Sequence, residues 1–274
     1  MKYLNWLFSF YINASIHVTF AVLSLVGITL LEYDLKISFS LWALLLFGTI
    51  SAYNFVKYAS VAGLHHRSLT NSLKVIQVFS FICFGLLLFF MFHVALDTLL
   101  VLGAFGLLTF LYAVPLLKRK NLRTFGGLKI FVVALVWAGV TVFVPMAEAK
   151  MQITTDCWLS FFQRFLMVIV LTLPFEIRDL LYDAVYLKTL PQQLGERKAK
   201  LLGIFFLTVT IILEGFKDEI SIAHLVSLIA ICILMGGFLV LSEKKQTRYF
   251  ASFWVEGIPI IWFGILSLLL HFLL

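Results

Sequence analysis

The feature that most constrains this chain is a run of about 20 apolar residues that recurs along its whole length. A helix needs roughly 20 mostly apolar residues to cross a bilayer core. The runs near 11–31, 38–59, 73–92, 97–116, 127–146, 158–175, 201–215, 220–241 and 253–273 predict nine membrane helices. The seventh is short, and 201–241 admits another division. Charged residues are 13% of the 274, and hydrophobic ones 62%, where a soluble domain carries about a quarter charged. Mean hydropathy is +1.05. The expectation is an all-α polytopic membrane protein forming one transmembrane domain over 1–274, with no soluble domain behind a cleaved leader. Cys83, Cys157 and Cys232 are scattered in or beside apolar runs without CxxC pairing and read as small apolar fillers.

The loops between the runs divide unequally by charge. The N-terminus and the loops after spans two, four, six and eight share one side. That side holds Lys2, Arg67, Lys118, Arg119, Lys120, Arg123, Arg178, Lys188, Arg197, Lys198, Lys244, Lys245 and Arg248, among others. The opposite side shows only Lys36, Lys150 and Lys217 among Glu32, Asp34, Glu148, Asp156, Asp218 and Glu219. Basic loops face the cytoplasm, which predicts an integral plasma (inner) membrane protein with its N-terminus inside and its C-terminus outside. The formal charge of +7 suits anionic lipid headgroups or a phosphorylated ligand, with no need for nucleic acid.

The stretch LPFEIRDLLYDAVYLKTLPQQLG, residues 173–195, places charge against the end of an apolar run. Charge near hydrocarbon is expensive and sits at the water boundary or has a task. At about 100° per residue, Glu176, Asp179 and Asp183 share one helix face, with Arg178 roughly opposite. Mg²⁺ binds through one or two carboxylates plus water and substrate phosphates, so the stripe suits a metal–diphosphate ligand. It equally suits a solvated acidic helix end pairing with nearby Arg and Lys.

The run EIRDLLYD followed by TLPQQLGERKA resembles the second acidic motif of the UbiA superfamily of intramembrane prenyltransferases, and FLYAVPLLKRKN…GLKIFVVALVWAG, residues 110–139, is similar to that family's Tyr-x-x-Pro and basic loop. The resemblance covers nearly the whole chain, with its specificity in 174–197. It implies nine helices around a central cavity, with two acidic motifs facing each other to hold Mg²⁺ against a prenyl diphosphate. Carried over, it implies Asp179, Asp183 and Asn54 as catalytic and Asp179, Asp183 and Glu176 as metal-binding. It also implies Tyr112, Lys118, Lys120, Arg178 and Lys188 as diphosphate contacts.

The first motif of that family, NDxxDxxxD, departs here. The register gives NFVKYASVA, with Asn54 kept but Phe55, Tyr58 and Ala62 in the three aspartate positions. In the second motif, Glu176 stands where Asp is usual, and the segment from Asp183 to Thr189 is one residue tighter. Lys57 lies inside the first motif, and His65, His66 and Arg67 follow it. Fixed cations can neutralise a departing diphosphate as a metal does, so Lys57, Arg67 and one histidine are candidates to replace one ion, leaving a single Mg²⁺. The plainer reading is that Lys57 snorkels to the headgroups and His-His-Arg is an ordinary basic loop.

Other polar residues fall inside the runs. Asn13 and His17 lie one helical turn apart, and His17 could act on an acceptor hydroxyl or bond a neighbouring helix, the packing role being favoured. Arg164 is expected to pair or snorkel, and Glu256 to meet loop cations. The 29 Phe residues read as lipid-facing and core bulk, with a few rings able to line an isoprenoid tunnel.

Two functions follow. One is an enzyme transferring a polyprenyl chain from its diphosphate to a lipophilic, aromatic acceptor. The other is a retained fold that binds an isoprenoid lipid or a protein without chemistry. No Rossmann or Walker loop, zinc spacing or nucleophile elbow is present, and no pair of Gly/Pro-broken spans marks a transporter.

Overall fold

The computed structural model describes residues 2–62, 71–114, 127–181 and 188–273, and all regular structure among them is helical. The elements are α1 (Lys2–Asn13), α2 (Ile16–Glu32), α3 (Phe39–Ala62), α4 (Asn71–Met91), α5 (Leu96–Ala113), α6 (Leu128–Glu148), α7 (Thr155–Asp179), α8 (Leu190–Leu194), α9 (Glu196–Glu214), α10 (Ile222–Leu241), a π-helical turn (Phe250–Val255) and α11 (Ile258–Leu273). Seven helices are long and apolar enough to cross a membrane, and the α1–α2 pair makes an eighth. The ninth long helix is α9. Its charged first turn (Glu196, Arg197, Lys198, Lys200) leaves only its second part to hydropathy, which is why the sequence shows a short run there.

Two spans depart from uninterrupted helices. The first bends by 53° between α1 and α2, where Ser15 takes a left-handed φ of 61°. Asn and Ser favour helix ends because their side chains compete for backbone groups. The bend puts Asn13 and His17 on separate helices, so they do not share one face. The last span carries the π-helical turn at its start. The Nε2 of His17 lies 2.9 Å from the Phe253 carbonyl and its Nδ1 2.9 Å from the Tyr11 hydroxyl, so His17 ties α1, α2 and that turn together.

The helices pack in a ring: α2 on α3, α3 on α4 and α5, α5 on α6, α6 on α7, α7 on α9, α9 on α10, α10 on α11, and α11 back on α2. Small residues let membrane helices approach closely. A Cβ on Gly139 of α6 would lie 1.9 Å from the Phe105 ring of α5, and one on Gly203 of α9 2.4 Å from Leu239 of α10. The largest apolar core joins α2, α6, α7, α9, α10 and α11 through residues such as Leu25, Ile130, Leu173, Ile231 and Trp262. By contrast α4 and α5 turn most of their surface outwards, toward lipid in a membrane.

The end of the bundle remote from the basic loops is fastened by buried charge. The Lys217 ammonium, 3% exposed, lies 2.6 Å from Glu32 and 2.7 Å from Glu214. His224 Nδ1 lies 2.8 Å from Glu214, and Gln163 Nε2 donates to Glu214 at 2.9 Å. Ser160 donates to Glu32 at 2.5 Å and lies 2.8 Å from the Tyr33 hydroxyl. Burial, and after it the Glu32 carboxylate, pushes the Tyr33 phenol well above its ordinary range, so it stays a neutral donor. Arg164 neither snorkels nor forms a direct ion pair among the described residues. It is fully buried, donates to Leu25 O at 2.7 Å and to Thr29 and Thr141 at 3.3 Å, and lies 5.5 Å from the Trp262 ring centroid.

Candidate functional site at the basic end

At the opposite end, α7 runs out through Glu176, Arg178 and Asp179. Glu176 is buried at 3% exposure. Arg178 Nε donates to Asp179 Oδ1 at 2.7 Å, with the two side chains 34% and 25% exposed, and the guanidinium lies 5.5 Å from the Phe175 ring. Arg178 therefore turns back toward Asp179 although its helical angle points it elsewhere. Asp183 lies outside the described residues. Lys188 is exposed, with a φ of 44°. Thr189 and Gln192 then form a capping box on the single turn α8, and Gly195, at φ 80°, ends it. The Lys188 carbonyl accepts from Gln193 Nε2. A Cβ on Gly127 would meet both Gln193 (3.1 Å) and Lys188 O (3.3 Å), and Gly127 also needs its φ of 79°. A glycine at the start of α6 thus lets the segment that carries Lys188 pack closely.

The first-motif segment closes the α1–α2 bend. Bending leaves the carbonyls of the last turn of α1 without helical partners. Asn54, 2% exposed, donates to Ala14 O at 3.2 Å and to Ser80 Oγ of α4 at 2.8 Å. The Lys57 ammonium lies 3.4 Å from Ile12 O, 3.5 Å from Asn13 O and 3.4 Å from Ser15 Oγ. Tyr58 donates to Asn13 O at 2.9 Å. Those lysine contacts are long, and an ammonium beside a helix C-terminus also gains from the helix dipole. Lys57 therefore ends on the broken helix.

Glu256 follows the π-helical turn directly. Its backbone N–H donates to Ala251 O at 3.0 Å, and its part-buried side chain forms no direct ion pair among the described residues. The π-helical turn that precedes it packs against α7, the helix that carries Glu176 and Asp179. The only sequence signal for Glu256 was a carboxylate four residues inside an apolar run. Tyr112, on the last turn of α5, is buried at 5%. Arg67, Lys118 and Lys120, with His65 and His66, lie outside the described residues.

As a metal site, the described residues offer a small donor set. No group of three His, Cys, Asp or Glu side chains gathers among them. Glu176 and Asp179 stand one turn apart on α7, which fits at most one hard cation completed by substrate phosphate and water.

No protein-family model and no curated protein matches the chain. Solved structures do match its fold. A UbiA homologue from Archaeoglobus fulgidus bound to GPP and Mg²⁺ superposes with a TM-score of 0.62 at 10% identity, covering 96% of this chain and 99% of that one. The same homologue bound to DMAPP and Mg²⁺ gives 0.61 at 10% identity over 96% and 99%. A digeranylgeranylglyceryl phosphate synthase gives 0.58 at 18% identity over 98% and 97%.

Proposed function

We propose that this chain, which has the UbiA fold, is a membrane prenyltransferase that takes a polyprenyl diphosphate and passes its chain to a lipophilic, aromatic acceptor. The observation that carries this reading is the acidic end of α7, with Glu176 and the Arg178–Asp179 pair, packed beside the π-helical turn at the basic end of the bundle, in a fold whose solved neighbours hold GPP or DMAPP with Mg²⁺. Asp179 and Glu176, with Asp183 beyond the described residues, are the groups that would hold one Mg²⁺. When bound, that ion supplies charge neutralisation for a diphosphate leaving group. Arg178, Lys188 and Lys57 supply fixed positive charge for the phosphates, as Arg67, Lys118 and Lys120 would from the basic loops. The apolar walls exclude water from an electron-poor allylic centre. The excess of basic residues in the loops at this end supports a mouth that faces the cytoplasm at the plasma (inner) membrane.

A second reading has one specific observation in its favour. Asn54, Lys57 and Tyr58 all bind the α1–α2 bend, so the first-motif segment already has a structural task, as it would in a fold that binds an isoprenoid without chemistry. The test is binding of geranyl diphosphate to the purified protein in lipid nanodiscs, with Mg²⁺ and with EDTA, beside Asp179→Asn. Binding that needs both Mg²⁺ and Asp179, together with prenyl transfer to an aromatic acceptor, supports the enzyme. Binding without transfer to any acceptor supports the second reading, and absence of binding rejects both.

A further inference from the structure

Resting on the reading of the basic end as a prenyl diphosphate site, we propose that Tyr53 and Trp137 form the floor beneath the prenyl tail and restrict the substrate to chains of about three isoprene units. Three observations carry this. First, the two side chains meet across the bundle. Trp137 Nε1 of α6 donates to the Tyr53 hydroxyl of α3 at 2.5 Å, with the rings edge to face and their centroids 6.1 Å apart. Both α3 and α6 are packed on by α2 and by α5, so the bond runs through the middle of these four helices. Secondly, burial changes at this level on both helices. On α6 only Ile130 and Ala134 are buried between Leu128 and Val136, whereas all but Val140 and Phe143 are buried from Trp137 to Met146. On α3 five residues from Leu41 to Ile50 are buried, and between Ser51 and Tyr58 only Asn54 is. The half of the bundle next to the basic end is thus the more open one. Thirdly, the turn beyond the pair is closed by polar side chains. Thr141 donates to Trp137 O at 2.7 Å, and Arg164 crosses from α7 to Leu25 O and Thr29 of α2 and to Thr141 of α6. Parting these groups would strand a buried charged donor, and a hydrocarbon tail offers it no partner.

The depth of the floor follows from helix rise. Arg164 and Thr141 touch and are therefore level on α7 and α6, and Trp137 lies one turn nearer the basic end. Asp179 is 15 residues from Arg164 along α7. At about 1.5 Å per residue, less one turn of about 6 Å, the floor lies about 16 Å below Asp179. An extended polypeptide advances roughly 3.3–3.6 Å for three main-chain atoms, so an isoprene unit, with four atoms along its chain, spans about 5 Å. Three units fill that depth, and a fourth meets the ring pair.

The experiment compares binding of geranyl, farnesyl and geranylgeranyl diphosphate, with Mg²⁺, to full-length wild type, Trp137→Ala, Tyr53→Ala and Val144→Ala in nanodiscs. Wild type is expected to bind geranylgeranyl diphosphate about tenfold more weakly than farnesyl diphosphate, since the last unit finds no apolar place. Trp137→Ala should shift that ratio about tenfold towards the longer chain, and Tyr53→Ala should do so by an independent change if Trp137→Ala does not fold. Val144 is fully buried in a separate core beyond the floor, so Val144→Ala should keep the wild-type order of lengths. A general loosening of the bundle would move all three variants alike and would overturn the proposal. Equal binding of all three lengths by wild type would also overturn it, by showing that the tail leaves the bundle above Tyr53. An unshifted ratio in both floor variants would do the same. Absence of binding at every length would reject the diphosphate reading itself, whereas binding without a length limit rejects the floor alone.

Discussion

The two ends of this bundle hold similar sets of charged groups and use them in opposite ways. At the far end Lys217, Glu32, Glu214 and His224 lie within contact of one another, wrapped by Ser160, Gln163 and Tyr33. At the basic end Lys57, Arg178, Asp179, Glu176 and Glu256 come from three helices, and among the described residues Arg178 and Asp179 form a part-exposed ion pair. A buried charge must have its partner in place or lose several kcal/mol. The far end satisfies that rule internally. At the basic end the described ion pair is part-exposed, so solvent shares in its charge. Buried, mutually paired charge makes a fastening, and part-exposed charge keeps access to water.

Breaking the fastening should give the largest effect. Lys217→Met strands two carboxylates against each other and is expected to lower stability by about 3–5 kcal/mol, read as a fall in thermal unfolding temperature in detergent. Adding Glu32→Gln and Glu214→Gln should recover much of that, because an uncharged cluster has no stranded charge. If the triple variant stays as weak as the single one, the cluster is not held by charge complementarity. Arg164→Met removes the charged donor to Leu25 O, Thr29 and Thr141 and should cost about 2 kcal/mol by the same assay.

Effects on stability should shrink toward the other end. Asn54→Ala opens two hydrogen bonds at the α1–α2 bend and is expected to cost about 1 kcal/mol. Asp179→Asn breaks an ion pair whose members are 25% and 34% exposed, so unfolding should move by less than about 1 kcal/mol. Its effect belongs instead to Mg²⁺-dependent prenyl diphosphate binding, which should be lost. An Asp179→Asn protein that unfolds as readily as Lys217→Met would erase the contrast between the two ends.

Much of the fold was legible because a membrane span is written in contiguous residues. The apolar runs matched the helices, and the acidic end of α7 stood out because Glu176 and Asp179 are neighbours in sequence as well as in space. The far-end cluster was not legible. Its members come from residues 32, 160, 163, 214, 217 and 224, and each looks like an ordinary charge or polar group at the end of a run. The α1–α2 bend was hidden because hydropathy continues through Ala14 while the backbone does not. The departure in the first motif was readable as missing aspartates. The task its residues have acquired was not, since the carbonyls they bind belong to a helix some forty positions earlier.

The π-helical turn before α11 has a consequence for how this mouth can change. A π-helical turn takes one residue more than an α-helical turn, so the segments on its two sides are offset by one position, about 100° around the axis. Deleting a single residue from Phe250–Val255 would let regular helix run through and swing the loop side against Trp262 and Leu266, with little change in length. The direction in which Arg248 and Tyr249, before the turn, face relative to α11 is therefore set by a residue count, and a lineage could re-aim them by gaining or losing one codon, leaving both side chains themselves untouched.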